Sequence, residues 1–260
     1  MATTSAGGQA LFYRLGIFGR ILVAVVFFVK NRRVSLRVLV MQIYFTFAQA
    51  LGICAMLALG IGAAVSLLGM NFLHAISQQH LIYQLLILIV SRELGPLLIA
   101  FIITARSATA IATEVAGMVI SHEVEAYVSV GVDPIEHLAV PRFLGITISL
   151  LLMNVYFSVF GLAGSFFIVQ MFQPLPMPAA YYFGNLVQNL GPGDLVVVAI
   201  KSVVFGMIIS TVAITEGLNV ERSSTEVPVA GLRAVSKAFV GCIAANILIS
   251  ALFYVHALAT

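Results

Sequence analysis

A chain of 260 residues with 61% hydrophobic and 9% charged residues and a net charge of only +3 lies far from soluble domains, which run roughly 45–50% apolar and 25% charged. With a mean hydropathy of +1.10 it carries more apolar surface than a water-soluble fold can bury, so it reads as an integral membrane protein. Its apolar runs are long and do not alternate, which selects helices over barrel strands. The Lys and Arg behind the pI of 9.0 stand beside those runs, where topology accounts for them and no nucleic-acid partner is expected.

Met1 to Gln9 is small and polar and lacks the order of a secretory signal, so no cleaved leader is expected. Leu11 to Val29 is apolar but interrupted by Arg14 and Arg20 and followed by Lys30, Arg32, Arg33 and Arg37. A full span would bury Arg20. An interfacial helix on the cytoplasmic leaflet is therefore expected within residues 1–37, with a plain first transmembrane helix as the alternative. Residues 38–260 then form the transmembrane bundle of a single domain.

Span one is expected at Val38 to Leu68, where Gly52, Ala55, Gly60, Gly62, Ala63 and Ala64 suit close helix contact. Span two is expected at Leu81 to Thr104, and Arg106 to Arg142 follows as the largest polar segment. Span three covers Phe143 to Met171. A Pro-rich link (residues 173–178) and a short apolar piece to Leu190 come next. Gly191-Pro192-Gly193-Asp194 predicts a turn with Asp194 as N-cap. Span four is expected at Leu195 to Ile214 and span five at Phe239 to Leu258. Lys and Arg cluster before span one, between spans two and three, and between spans four and five (Arg222, Arg233, Lys237), while the other links have none. By the positive-inside rule this places the N-terminus in the cytoplasm and the C-terminus outside. The fold class is thus all-α: an interfacial helix plus five transmembrane helices. Cys54 and Cys242 lie inside apolar runs and read as small packing residues rather than a disulfide.

Ser91-Arg92-Glu93-Leu94-Gly95-Pro96 interrupts span two. Each charged side chain at a bilayer centre costs roughly 2.5–3.5 kcal/mol on insertion scales, which points to function. On a helix Arg92 and Glu93 diverge by about 100° and need not pair with each other. One reading is a polar patch lining an internal cavity and meeting a charged head group; the other is an interhelical ion pair, Glu93 with Lys201 of span four. The two are compatible.

Between spans two and three the pattern predicts a short amphipathic helix. Ser121 is its expected cap, Glu123 and Glu125 fall in the first turn, and Val124, Tyr127 and Val128 form one apolar stripe. Gly131 and Pro134 end it. Such a helix suits docking into a partner's groove, with a position on the membrane surface as the alternative.

No phosphate-binding loop is present: Lys201-Ser202 follows Ile200 inside an apolar span. Any drive by ATP must therefore come from a partner. His122-Glu123 lacks the second His of a zinc motif, and His74 with His80 reads as a solvated loop pair. No catalytic residue, metal or cofactor is expected.

Arg92-Glu93-Leu94-Gly95-Pro96, Arg106, Thr113-Glu114-Val115, Glu123-Val124-Glu125-Ala126, Gly131-Val132-Asp133-Pro134, Pro141-Arg142, Lys201 to Gly206 and Glu216-Gly217-Leu218-Asn219 together resemble the MlaE/YrbE permease family, from about residue 40 to the C-terminus. Ala116 and His122 depart from its usual Gly and acidic residue. The resemblance implies a permease subunit, without enzymatic activity of its own, of an ABC transporter that moves phospholipids between the inner membrane and the outer envelope. It implies a homodimer in the inner membrane, a cytoplasmic ABC ATPase, a periplasmic MCE-domain protein and, in some members, a STAS-like subunit. By the same resemblance Arg92, Glu93 and Leu94 line the lipid cavity, and the helix bearing Glu123, Val124, Glu125, Tyr127 and Val128 couples to the ATPase. The competing expectation is a proton- or ion-coupled secondary transporter acting through Glu93 without an ATPase.

Overall fold

The computed structural model describes residues 16, 19, 20, 36–75, 77–172, 178–221 and 223–259. The expected interfacial helix lies almost wholly outside the described residues, as does most of the Pro-rich link. Among the described residues the regular structure is helical, with no strand. The elements are α1 (Leu36–Ala48), α2 (Leu51–Ala75), α3 (Ile82–Ile120), α4 (Glu123–Ser129), α5 (Val140–Phe172), α6 (Ala179–Asn189), α7 (Pro192–Leu218) and α8 (Glu226–Ala259).

Among the described residues five helices are long and apolar enough to cross a bilayer: Leu51–Leu73, Ile82–Ile120, His137–Met171, Pro192–Leu218 and Glu226–Val255. The protein is a multi-pass, all-α membrane protein. The sequence predicted one span from Val38 to Leu68, but the helix breaks at Gln49 and Ala50. There the Ala50 N–H bonds the Phe47 carbonyl, three residues back. Neither Pro nor Gly occupies the break, so hydropathy reads straight through it.

Span two is longer than its apolar run. The stretch runs for 39 residues, nearly twice the roughly 20 residues that cross a bilayer's hydrocarbon core. Arg106 ends the hydropathy but not the helix. Past it, the Thr109 and Thr113 hydroxyls turn back to the Ala105 and Thr109 carbonyls. This satisfies their own polarity locally, and nothing breaks the backbone before Ile120.

Contacts divide the chain into two compact units. One comprises Met1–Thr46, Ile103–Ser149 and Phe205–Cys242. In it Gly206 lies against α5, where an added Cβ would come within 2.7 Å of Thr147 Cα, and Ser149 Oγ donates to the Ile43 carbonyl at 3.4 Å. The other unit comprises Phe47–Ile102, Leu150–Val204 and Ile243–Thr260. Its α2 and α5 meet at Gly62, whose Cβ would fall 2.2 Å from the Gly161 carbonyl oxygen. Of the small residues singled out in this helix, Gly62 is thus at a contact, while Gly52 and Gly60 face open space. Small residues permit such approach where water supplies no driving force between helices. Each unit buries one of the two cysteines, which are both free.

Candidate functional site

In the second unit the Ser91–Pro96 segment sits at the end of a π-helical stretch, Ile87–Leu94, set within α3. Its wider turn carries the Gly95 N–H back to the Val90 carbonyl, five residues away. An added Cβ on Gly95 would lie 2.4 Å from that oxygen, so only glycine fits. Pro96 has no N–H, which removes the α-helical donor to the Arg92 carbonyl. Lys201 Nζ, from α7, donates to that carbonyl at 2.7 Å.

Lys201 Nζ also lies 2.9 Å from Glu93 Oε2. The same carboxylate accepts from Ser250 Oγ at 2.9 Å and from Tyr254 OH at 3.4 Å, both on α8. Lys201 is fully buried. A buried charge in a bilayer span needs a partner and hydrogen bonds, and Glu93 with the Arg92 carbonyl supplies both.

Arg92 takes a different partner. Its Nη1 donates to Asp194 Oδ1 at 3.0 Å, and its guanidinium carbon lies 4.6 Å from the Phe253 ring centroid and 5.1 Å from that of Tyr254. Asp194 was expected as the N-cap of span four. Instead α7 starts at Pro192, the position where a missing N–H costs nothing. Asp194 is in the first turn and reaches back, its Oδ2 accepting from the Gly191 N–H at 2.9 Å. One carboxylate therefore caps the helix and pairs with Arg92.

Arg92, Asp194 and Tyr254 line a cavity of about 620 Å³ whose other walls include Phe72, Leu73, Leu81, Leu85 and Leu88. Glu93 and Leu94 are not among its lining residues; Leu94 is exposed. A second cavity of about 320 Å³ is bounded by Ser91, Asn154, Leu162, Phe183, Asp194 and Val198. Near it, buried Asn154 Nδ2 donates to Ser202 Oγ at 2.7 Å. In α6 the buried Tyr182 hydroxyl lies 3.0 Å from Ser165 Oγ; burial pushes its pKa above the ordinary 10.0.

The first unit holds the helix read as a docking element. It runs Glu123–Ser129 and buries no residue. Its N-cap is His122, in the left-handed conformation at φ 61°, not Ser121. Ser121 Oγ instead donates to Glu123 Oε1 at 3.1 Å, and His122 Nδ1 lies 2.9 Å from Glu125 Oε2. Gly131, at φ 78°, ends the helix as expected. The Val132 N–H bonds the Tyr127 carbonyl and the Gly131 N–H bonds that of Val128, a Schellman closure.

The apolar stripe divides. Val124 and Tyr127 are half-buried, with the Tyr127 ring 5.3 Å from that of His137 and tilted 46° to it, whereas Val128 is 61% exposed and Val130 and Val132 are exposed beyond it. Around the helix, Arg142 Nη2 lies 2.7 Å from Glu114 Oε1, and its Nη1 donates to the Leu138 carbonyl at 2.9 Å. That clamp ties the end of α3 to the start of α5, on either side of α4. Lys237 Nζ likewise lies 2.6 Å from Glu216, which is buried.

Sequence reasoning did not find Asp194, Ser250, Phe253 or Tyr254 as neighbours of Arg92 and Glu93. A signal for one was present: Asp194 is the only charged residue between Arg142 and Lys201, and an isolated acid beside apolar spans calls for a cation. Ser250 and Tyr254 carry no such mark.

The sequence matches a family model described as Permease MlaE over residues 39–252. It is 28% identical over 219 residues to a probable ABC transporter permease protein of Rickettsia prowazekii, covering 84% of each chain. It is 24% identical over 218 residues to the intermembrane phospholipid transport system permease protein MlaE of Haemophilus influenzae, covering 83% of this chain and 82% of that one. To the chloroplastic protein trigalactosyldiacylglycerol 1 of Arabidopsis thaliana it is 26% identical over 219 residues, 82% of this chain and 60% of the other.

Proposed function

Because the chain belongs to the MlaE permease family and is an ABC transporter permease, we propose that it carries phospholipid between the inner membrane and the outer envelope. It does so as a homodimer driven by a separate cytoplasmic ABC ATPase, and it exchanges lipid with a periplasmic MCE-domain protein; a STAS-like subunit completes the assembly where the system has one. The observation that carries this reading is the cavity of about 620 Å³ in which Arg92 stands against leucine and phenylalanine walls. Those walls suit acyl chains, and a guanidinium suits phosphate. The name of the Haemophilus influenzae relative, an intermembrane phospholipid transporter, points the same way.

Arg92 is the head-group contact in this reading, with Glu93 and Lys201 as the ion pair that holds α7 to α3, and Leu94 offers apolar surface beside them. The α4 segment with Glu123, Val124, Glu125, Tyr127 and Val128 seats in the ATPase. When ATP closes the ATPase dimer, the two α4 helices are drawn together and the lipid cavity collapses. The basic loops put the N-terminus in the cytoplasm and the C-terminus in the periplasm.

The test is a gentle detergent purification of the chain from its native membrane, with mass spectrometry of bound proteins and lipids. Recovery of an ABC ATPase and an MCE-domain protein together with phospholipid is expected. A chain that purifies alone, and moves its substrate in proteoliposomes under a pH gradient without an ATPase, would replace this reading with proton-coupled transport through Glu93.

A further inference from the structure

The charges at the cavity are balanced in a way that a site for an anionic lipid does not require. Lys201 is fully buried and held by Glu93 and the Arg92 carbonyl, so that pair is neutral, and neither of its members lines the cavity. Among the described residues the charged groups lining the cavity are Arg92 and Asp194. They are 3.0 Å apart, each with a side chain 14% exposed. The bond to Asp194 uses one of the five N–H donors of a guanidinium, and the aromatic rings of Phe253 and Tyr254 hold Arg92 in place. Asp194 is equally fixed, because its Oδ2 is tied to the Gly191 N–H. The charged end of the cavity, beside the neutral amides of Gln84 and Asn189, is therefore a fixed pair of opposite charges with no net charge.

We propose that this pair selects zwitterionic phospholipid head groups, with Asp194 as the specificity-determining residue; the inference rests on the reading of the chain as a phospholipid permease. A phosphate accepts hydrogen bonds from Arg92. The ammonium two carbons further along the same head group donates to Asp194. The acyl chains lie on Leu73, Leu81, Leu85 and Leu88. An anionic head group such as phosphatidylglycerol brings the same phosphate to Arg92 but ends in a neutral glycerol, so that phosphate and Asp194 share one guanidinium with no ammonium to balance them, and like charges held together at low dielectric discriminate strongly.

The experiment uses the full chain in its native complex, purified in mild detergent and equilibrated with mixed micelles of equal phosphatidylethanolamine and phosphatidylglycerol. The retained lipids are quantified by mass spectrometry. The wild type is expected to retain several-fold more phosphatidylethanolamine. Asp194→Asn keeps an oxygen for the Gly191 N–H and removes the charge, and is expected to shift the ratio about tenfold toward phosphatidylglycerol. Asp194→Glu keeps the charge and is expected to hold the wild-type preference. Equal retention of both lipids by the wild type, or an unchanged ratio in Asp194→Asn, overturns the selection. The wild-type ratio decides alone if the Asn variant does not fold. Retention of neither phospholipid by the wild type overturns the lipid-permease reading itself, a result distinct from retention without discrimination.

Discussion

Lys201 Nζ sits 2.7 Å from the Arg92 carbonyl and 2.9 Å from Glu93 Oε2, so one buried ammonium joins α7 to the backbone opened by Pro96 and to the carboxylate beside it. The backbone break and the buried cation are mutually dependent. Without Pro96 the carbonyl has an α-helical donor, and without the carbonyl and Glu93 the ammonium is stranded in a membrane span.

Removing one member of such a pair is expected to be far worse than removing both. Lys201→Met should lower stability by about 3 kcal/mol, because it strands Glu93, while Lys201→Met with Glu93→Gln should recover most of that loss. Thermal unfolding of the detergent-purified variants checks this. Equal losses in the single and double variants would show that the pair contributes little coupling. The contrast also governs how Glu93→Ala is interpreted. A loss of transport in that variant counts as a site effect only if the complex still assembles.

Within α2, Gly60 and Gly62 should respond oppositely to alanine. A Cβ at Gly62 meets the Gly161 carbonyl, while one at Gly60 meets nothing within 4 Å. Gly62→Ala is expected to cost about 1–3 kcal/mol through overpacking; Gly60→Ala should be neutral or stabilising by up to about 1 kcal/mol. Melting temperatures of the two variants, measured side by side, decide it.

For the docking helix, Val128 offers a cleaner probe than Tyr127. Tyr127 is half-buried against His137, so Tyr127→Asp confounds folding with docking. Val128→Asp places a charge at an exposed position. It is expected to leave the fold's stability within about 0.5 kcal/mol while abolishing stimulation of the partner ATPase. Unchanged ATPase stimulation and co-purification would exclude Val128 from the docking face.

Tyr182→Phe should lose about 1 kcal/mol, since the buried hydroxyl is 3.0 Å from Ser165 Oγ. The pH dependence has a definite sign. The unfolded phenol ionises near its ordinary 10.0, while burial raises the folded value above that. The folded state then holds the proton more tightly, so this contribution is full below pH 10.0 and declines as pH rises past it. Denaturation followed on both sides of that pH should show a fall in the wild type that Tyr182→Phe reduces.

What the residues determine alone is the set of spans and the unusual segment within one of them. Apolar runs near 20 residues long have few alternatives in a bilayer, where unsatisfied backbone is so costly that helices follow almost from composition. Glycine at 131 likewise specifies its left-handed turn locally. Ser91 to Pro96 is conspicuous because charge and proline at membrane depth cannot be incidental. Tertiary structure decided everything that depends on a partner distant along the chain. Hydropathy could not show that α3 runs on past Arg106 or that the first predicted span breaks at Gln49, since helix continuity rests on backbone bonding rather than polarity. Nor could it assign Asp194 to Arg92, 102 residues away, or choose which side of the Val124–Tyr127–Val128 stripe faces the protein. Ion-pair geometry is set by which helix faces pack together, and in a membrane those faces are nearly uniform in hydropathy. Small residues and side-chain shape then choose the contacts, and neither leaves a periodic trace in the sequence.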